Sequence, residues 1–235
     1  MRLLERESAL ADLGAALAAA VTGRGRVALI SGEAGMGKTS VVRTFLAGLD
    51  ADVRVLEGAC DDLLTPRPFG PVHDVSRSAR PALARALAEG PAQSIFTALL
   101  DELTDGAARP IDGSAATVLV VEDVHWADDA TLDVLRYLGR RITELPALLV
   151  ITYRDDEVTR EHPAHRLIGS LGGDGVHRLG LRRLSRAGVA TLAGGTAVTT
   201  APLFQLTAGN PFFLSEVLAT RDETVPLTVV DAVLA

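Results

Sequence analysis

Two short stretches hold residue types whose spacing can do chemistry. The first is "GEAGMGKTS" (32–40), which fits G-x-x-x-x-G-K-[ST] with Gly32, Gly37, Lys38 and Thr39 in register. Glycines at this spacing let the chain curl, so that N–H groups of Gly32, Glu33, Ala34, Gly35, Met36, Gly37 and Ser40 can face phosphate oxygens. A helix starting near Lys38 adds its positive end. Lys38 would reach the β- and γ-phosphates, and the Thr39 hydroxyl would ligand Mg²⁺. The ligand expected here is a nucleoside polyphosphate with Mg²⁺.

The second stretch is "VLVVEDVHWADD" (118–129), an apolar run that ends in Glu122 and Asp123. A phosphate loop of this kind needs a second acid from a neighbouring strand, at the metal or through its water. The usual order is Asp for the metal, followed by Glu or Asp for the attacking water. Here the metal position carries the longer acid and the water position the shorter one, which leaves open which of them takes the metal. By position, Thr39 and Glu122 are the candidate metal ligands, and Asp123 is the candidate that orients water. Arg154 stands after "ALLVITY" (147–153) and is the candidate γ-phosphate sensor. Lys38, Asp123 and Arg154 form the candidate catalytic set. His125 reads as structural or supporting rather than as a base. Asp128 and Asp129 read as helix caps.

The elements around these stretches are short strands that alternate with helices. "RVALI" (26–30) enters the Gly-rich turn, and "VVRTFLAGL" (41–49) is helical after it. "VRVLEGA" (53–59), "ATVLVVED" (116–123), "ALLVITYR" (147–154) and "VHRLGL" (176–181) read as four further strands. Leu10, Leu13 and Leu17 mark an amphipathic first helix over 6–20. Residues 60–112 read as an irregular segment followed by Ala-rich helices at 79–88 and 91–104, and Asp129 is expected to cap a helix over 130–143. Such alternation predicts an α/β fold with a parallel sheet and right-handed crossovers. After 182 there are only short helices, one capped by Ser185 and another with Pro211 at its first position.

Composition narrows the function classes. The 235 residues carry a net charge of −7, which argues against a general phosphate-backbone binder. No apolar run approaches the ~18 residues of a membrane span. The first ten residues lack the apolar core of a signal peptide. A single cysteine, Cys60, excludes an internal disulfide framework and fits a reducing, cytoplasmic setting. Of 23 basic residues only one is a lysine, and it is Lys38. A bias towards Arg codons explains the rest. Lysine at this one place fits a need for a compact, flexible ammonium.

With "LLERESAL", "GEAGMGKTS", "LVVEDVHWADDATLDVLRYL", "LLVITYRDDE", "LRRLSRAGVATL" and "TAGNPFFLSEVL" in view, the chain resembles the ATPase domain of the large ATP-binding LuxR-type transcriptional regulators. These belong to the STAND branch of AAA+-like P-loop ATPases. The resemblance covers nearly the whole chain, and the HWAD and GNPFF stretches are its most specific part. It implies a P-loop NTPase with a five-stranded parallel sheet in the order 5-1-4-3-2, over residues 1–181. It also implies a helical lid over 182–225 and the start of a winged helix at 226–235. Arg6 and its neighbours, with Pro211, would lie near the adenine. Glu5 stands where the family pattern usually has glycine, and Ala9 where it often has an acid.

The function implied is that of an ATP-binding, slowly hydrolysing switch in the cytoplasm. Its expected partners are ATP or ADP with Mg²⁺, the remainder of a larger regulator chain and, through nucleotide-dependent self-association, further copies. Neither nucleic acid nor a membrane is an expected partner of this fragment. Two alternatives stand beside it: a nucleotide-binding module without turnover, and an origin-recognition type of AAA+ ATPase. A nucleotide or small-molecule kinase fits least, because no Arg-rich lid follows the sheet.

Overall fold

The computed structural model describes residues 3–108, 116–194 and 200–219. The expected winged-helix start at 226–235, and residues 195–199 and 220–225 of the expected lid, lie outside the described residues. Five strands form one parallel sheet: β1 (Arg26–Ser31), β2 (Val53–Ala59), β3 (Ala116–Glu122), β4 (Ala147–Tyr153) and β5 (Val176–Gly180). Their order is β2-β3-β4-β1-β5, the same as 5-1-4-3-2 read from the other edge.

Burial follows position in the sheet. The central strands β3 and β4 are buried at six consecutive positions each, whereas the edge strand β5 buries only Leu179. Strands covered on both faces need unbroken apolar runs, and "TVLVV" and "ALLVIT" supply them. Alternate residues serve opposite faces. Ala28, Ile30, Val118, Val120, Leu148 and Val150 pack with α1 (Glu7–Val21) and α2 (Lys38–Ala47). Leu29, Leu119, Val121, Leu149 and Ile151 pack on the other face. The helices there are α3 (Gly70–Val75), α4 (Pro81–Glu89), α5 (Ala92–Ala108), α6 (Asp129–Gly139) and α7 (Pro163–Ser170). A separate apolar cluster of Leu184, Val189, Ala193, Leu203 and Leu214 joins α8 (Arg186–Leu192), α9 (Thr200–Thr207) and α10 (Pro211–Ala219).

Several sequence expectations need correction. Asp128, not Asp129, caps α6: its carboxylate accepts from the Thr131 N–H at 3.0 Å, and the helix stops at Gly139 rather than 143. Helices α3 and α7 were not expected from the sequence. Both are short, at six and eight residues, too few for a periodic signal. Strand β4 ends at Tyr153, so Arg154 lies just beyond it. Ser185 does cap α8, accepting from the Gly188 N–H at 3.1 Å, and Pro211 opens α10.

One buried ion cluster was not visible in the sequence. Glu102 on α5 is 1 % exposed and accepts from Arg54 at 2.6 Å and from the Arg80 Nε at 3.0 Å and backbone N–H at 3.1 Å. These contacts clamp β2 and the start of α4 to α5. Removing one partner of a buried pair strands the other. Glu102→Ala should therefore destabilise the fold by about 3 kcal/mol, the lower end of the range because both arginines reach solvent. Urea unfolding of the variant beside the parent measures this.

Candidate functional site

Neighbouring strands β1 and β4 send the chain to opposite faces of the sheet, β1 to α2 and β4 to α7. The crevice at the carboxyl ends of such strands is where ligands of open α/β sheets bind. Here the crevice is a cleft of about 350 Å³ whose lining includes Gly37, Lys38, Thr39, Asp123, Arg154 and Pro211.

The Gly-rich loop bends through left-handed backbone at Gly35 (φ +76°) and at Gly37 (φ +85°), which immediately precedes α2. A side chain at Gly35 would also collide with Asn210, whose Oδ1 would lie 2.7 Å from the added Cβ. Lys38 is 8 % exposed, and its ammonium donates to the carbonyls of Gly32 at 2.6 Å and Glu33 at 3.1 Å. Burial pulls it below the ordinary lysine range, Asp123 counteracts that, and Arg154 adds to the lowering.

The two acids occupy different places. The Thr39 hydroxyl donates to Glu122 Oε2 at 2.6 Å, so the two candidate metal ligands touch. Burial pushes the Glu122 carboxyl above its usual range, the Thr39 hydrogen bond lowers it, and the Asp123 charge raises it again. Asp123 turns out of the strand in a left-handed conformation (φ +56°, ψ +47°) and faces the cleft. That conformation is costly for most L-residues but tolerated by Asp. The Thr152 hydroxyl at the end of β4 secures it by accepting from the Asp123 N–H at 2.9 Å. Arg154 lines the same cleft, donates to Glu157 at 2.5 Å and lies 4.8 Å from the centre of the Trp126 ring. Among the described residues, no group of three or more His, Cys, Asp or Glu side chains could hold a metal. A divalent cation at Thr39 and Glu122 would thus complete its shell from phosphate and water.

The short helices after the sheet close one side of the cleft. Asn210 is 2 % exposed, donates from Nδ2 to the Ala34 carbonyl at 3.0 Å, and accepts from the Phe212 N–H at 3.0 Å. The Phe212 N–H also reaches the Gly35 carbonyl at 3.2 Å, so the GNPFF stretch is fastened to the loop. Pro211, Phe212 and Ser215 thereby face Lys38 and Thr39 across the cleft. Sequence reasoning singled out Pro211 but missed Asn210, although the specificity of the GNPFF stretch was the available signal.

Arg6 is placed differently. It is 4 % exposed and donates to three backbone carbonyls: Glu5 at 2.9 Å, Met36 at 3.1 Å and Arg182 at 2.7 Å. It lines a separate hollow with Arg178 and Asp12 rather than the phosphate cleft. Its guanidinium ties the amino-terminal segment to the loop at Met36 and to the chain at Arg182, just before α8. Glu5 beside it has φ +57°, which explains why glycine suits this position. Its carboxylate accepts from the Ser185 hydroxyl at 2.5 Å and N–H at 2.9 Å, a hold on the start of α8 that glycine could not supply. Cys60 is buried, and burial pushes its thiol far above the ordinary range, in keeping with a structural role.

Comparisons with known proteins agree with the fold. A family model described as an AAA ATPase domain matches residues 2–151. No curated protein matches the sequence. Among solved structures, a STAND protein with a tetratricopeptide repeat sensor from Pyrococcus horikoshii is 22 % identical with a TM-score of 0.55. The match covers 92 % of this chain, which spans only 31 % of that protein. The ORC2 protein of Aeropyrum pernix, solved in ADPNP–ADP complexes, is 15 % identical with a TM-score of 0.60, covering 98 % of this chain and 67 % of that one. A Walker-type ATPase of Pyrococcus abyssi is 14 % identical with a TM-score of 0.63, covering 98 % and 72 %. At these identities the likeness is one of fold. No helix among the described residues is long and apolar enough to cross a membrane.

Proposed function

The chain belongs to the family of AAA ATPase domains, and from that premise we propose that it is an ATP-binding, slowly hydrolysing switch of the LuxR-regulator type. The observation that carries this reading is the contact of Thr39 with Glu122 at 2.6 Å, beside a cleft shared by Lys38, Asp123, Arg154 and Pro211. Residues 1–181 would form the catalytic α/β part, 182–225 the lid and 226–235 the start of a winged helix. The loop from Gly32 to Ser40 would cradle the phosphates through its N–H groups, with Lys38 on the β- and γ-phosphates. Arg6 would act at the base only indirectly, by holding the loop and lid in register, while Pro211 would contact the nucleotide.

Thr39 and Glu122 would hold Mg²⁺, which neutralises phosphate charge when bound. A carboxylate that burial disfavours as an anion gains from such a cation. Asp123 would orient the water that attacks the γ-phosphorus as its bond to the β–γ bridging oxygen breaks and ADP leaves. Lys38 and Arg154, which line the cleft, would face the oxygens on which charge accumulates. Attachment to a larger regulator chain and nucleotide-dependent self-association belong to the same proposal.

Mass spectrometry of nucleotide released from purified protein, beside a phosphate-release assay, tests the reading. ADP or ATP with slow release supports it. Bound nucleotide without release would leave a binding module, and neither nucleotide nor affinity would sink it. The likeness to the ORC2 fold favours an origin-type ATPase as the second reading. Phosphate neutralisation needs clustered basic residues, and this chain carries net −7, so no DNA shift is expected in a gel at physiological salt. Sequence-selective, salt-resistant binding would reverse the ranking.

A further inference from the structure

The HWAD stretch contains a histidine that the reading above does not use. The His125 side chain is 0 % exposed, yet neither ring nitrogen has a hydrogen-bond partner. Nδ1 lies 3.9 Å from Asp123 Oδ1, and Nε2 lies 3.7 Å from Glu157 Oε2. Glu157 in turn accepts from Arg154 at 2.5 Å. The ring packs on Trp126, with centroids 4.5 Å apart, and Arg154 covers that indole. The order in space is therefore Asp123, His125, Glu157, Arg154, with both ends in the cleft.

Leaving a buried ring nitrogen unpaired is costly, and such a group calls for an explanation. Both gaps exceed an ordinary hydrogen bond by about 0.5–0.7 Å, and catalytic contacts that are long in the ligand-free protein often tighten as the reaction complex forms. Burial pulls His125 below the ordinary histidine range, Asp123 and Glu157 oppose this, and Arg154 and Lys38 add to the lowering. A neutral ring has one N–H, so it can tether only one of the two carboxylates at a time. Full burial keeps the ring off the substrate, so any effect must pass through its neighbours.

Resting on the hydrolytic reading above, we propose that His125 is a positioning residue that links Asp123 to Glu157, and through it to Arg154. The acid that orients water and the arginine that faces the γ-phosphate are then set together. Nucleotide state at one end is felt at the other, and Trp126 lies against both the ring and the arginine.

His125→Asn keeps a donor near Nδ1, His125→Leu removes both nitrogens at similar volume, and Glu157→Gln alters a side chain that is 38 % exposed. Orienting partners of an active group are worth about 10- to 100-fold. The leucine variant should lose that much kcat for phosphate release. Its Mg-ATP affinity should stay within about twofold, the sign of a group that acts after binding. The asparagine variant should recover most of the rate. Trp126 is the only tryptophan, so its emission should differ between ATP-saturated and ADP-saturated parent protein. That difference should vanish in the leucine and Glu157→Gln variants. Unchanged kcat in a folded leucine variant overturns the proposal, as does an asparagine variant no better than leucine. If the parent releases no phosphate, the hydrolytic reading falls and emission alone decides the link. A parent difference lost in both variants then supports it, and no parent difference, or one kept in every variant, overturns it.

Discussion

Lys38→Ala lowers the affinity for Mg-ATP by roughly 10²- to 10⁴-fold, the loss of two charge-assisted contacts at about 1.5–3 kcal/mol each. The fold should survive, because the ammonium bonds only to the carbonyls of Gly32 and Glu33 within its own loop. No other lysine exists in the chain to substitute for it. Lys38→Arg should rescue little, since a planar fork cannot fold back under the loop as a compact ammonium does. Isothermal titration with Mg-ATP, beside thermal melting, measures both quantities. Unchanged affinity in a folded variant would remove the phosphate assignment.

Glu122→Gln and Asp123→Asn should fail in different ways. Glu122 accepts from Thr39 and lies behind it, whereas Asp123 opens onto the cleft beside Lys38. Glu122→Gln removes a metal-directed charge present before and during the reaction, so Mg-dependent affinity and turnover should fall together. Asp123→Asn keeps the left-handed turn, which asparagine also tolerates, and keeps the N–H bond to Thr152. Affinity should therefore persist while phosphate release drops by about 10²-fold, the lower end for loss of a general base. Steady-state release beside Mg-ATP affinity in both variants decides the assignment. The reverse pattern would swap the roles, and equal loss of binding in both would mean that the pair shares the metal.

The sequence by itself determined the phosphate loop, the acid-ended strand and the five-strand alternation. Each is a local code: glycine spacing sets the loop, and an unbroken apolar run such as "VLVV" marks a strand buried on both faces. The strand order came from resemblance rather than from residues, because parallel pairing joins segments remote in the chain. Tertiary structure alone decided that Arg6 spends its guanidinium on the carbonyls of Glu5, Met36 and Arg182, contacts up to 176 positions away. It decided that Glu102 is a buried anion shared by Arg54 and Arg80, since helical spacing says nothing about which strand a helix covers. It also separated two adjacent acids, sending Glu122 to Thr39 and Asp123 into the cleft, because the turn to φ +56° depends on a hydroxyl that β4 supplies. Local residue types name the chemistry, but only chain segments packed together choose which atoms meet.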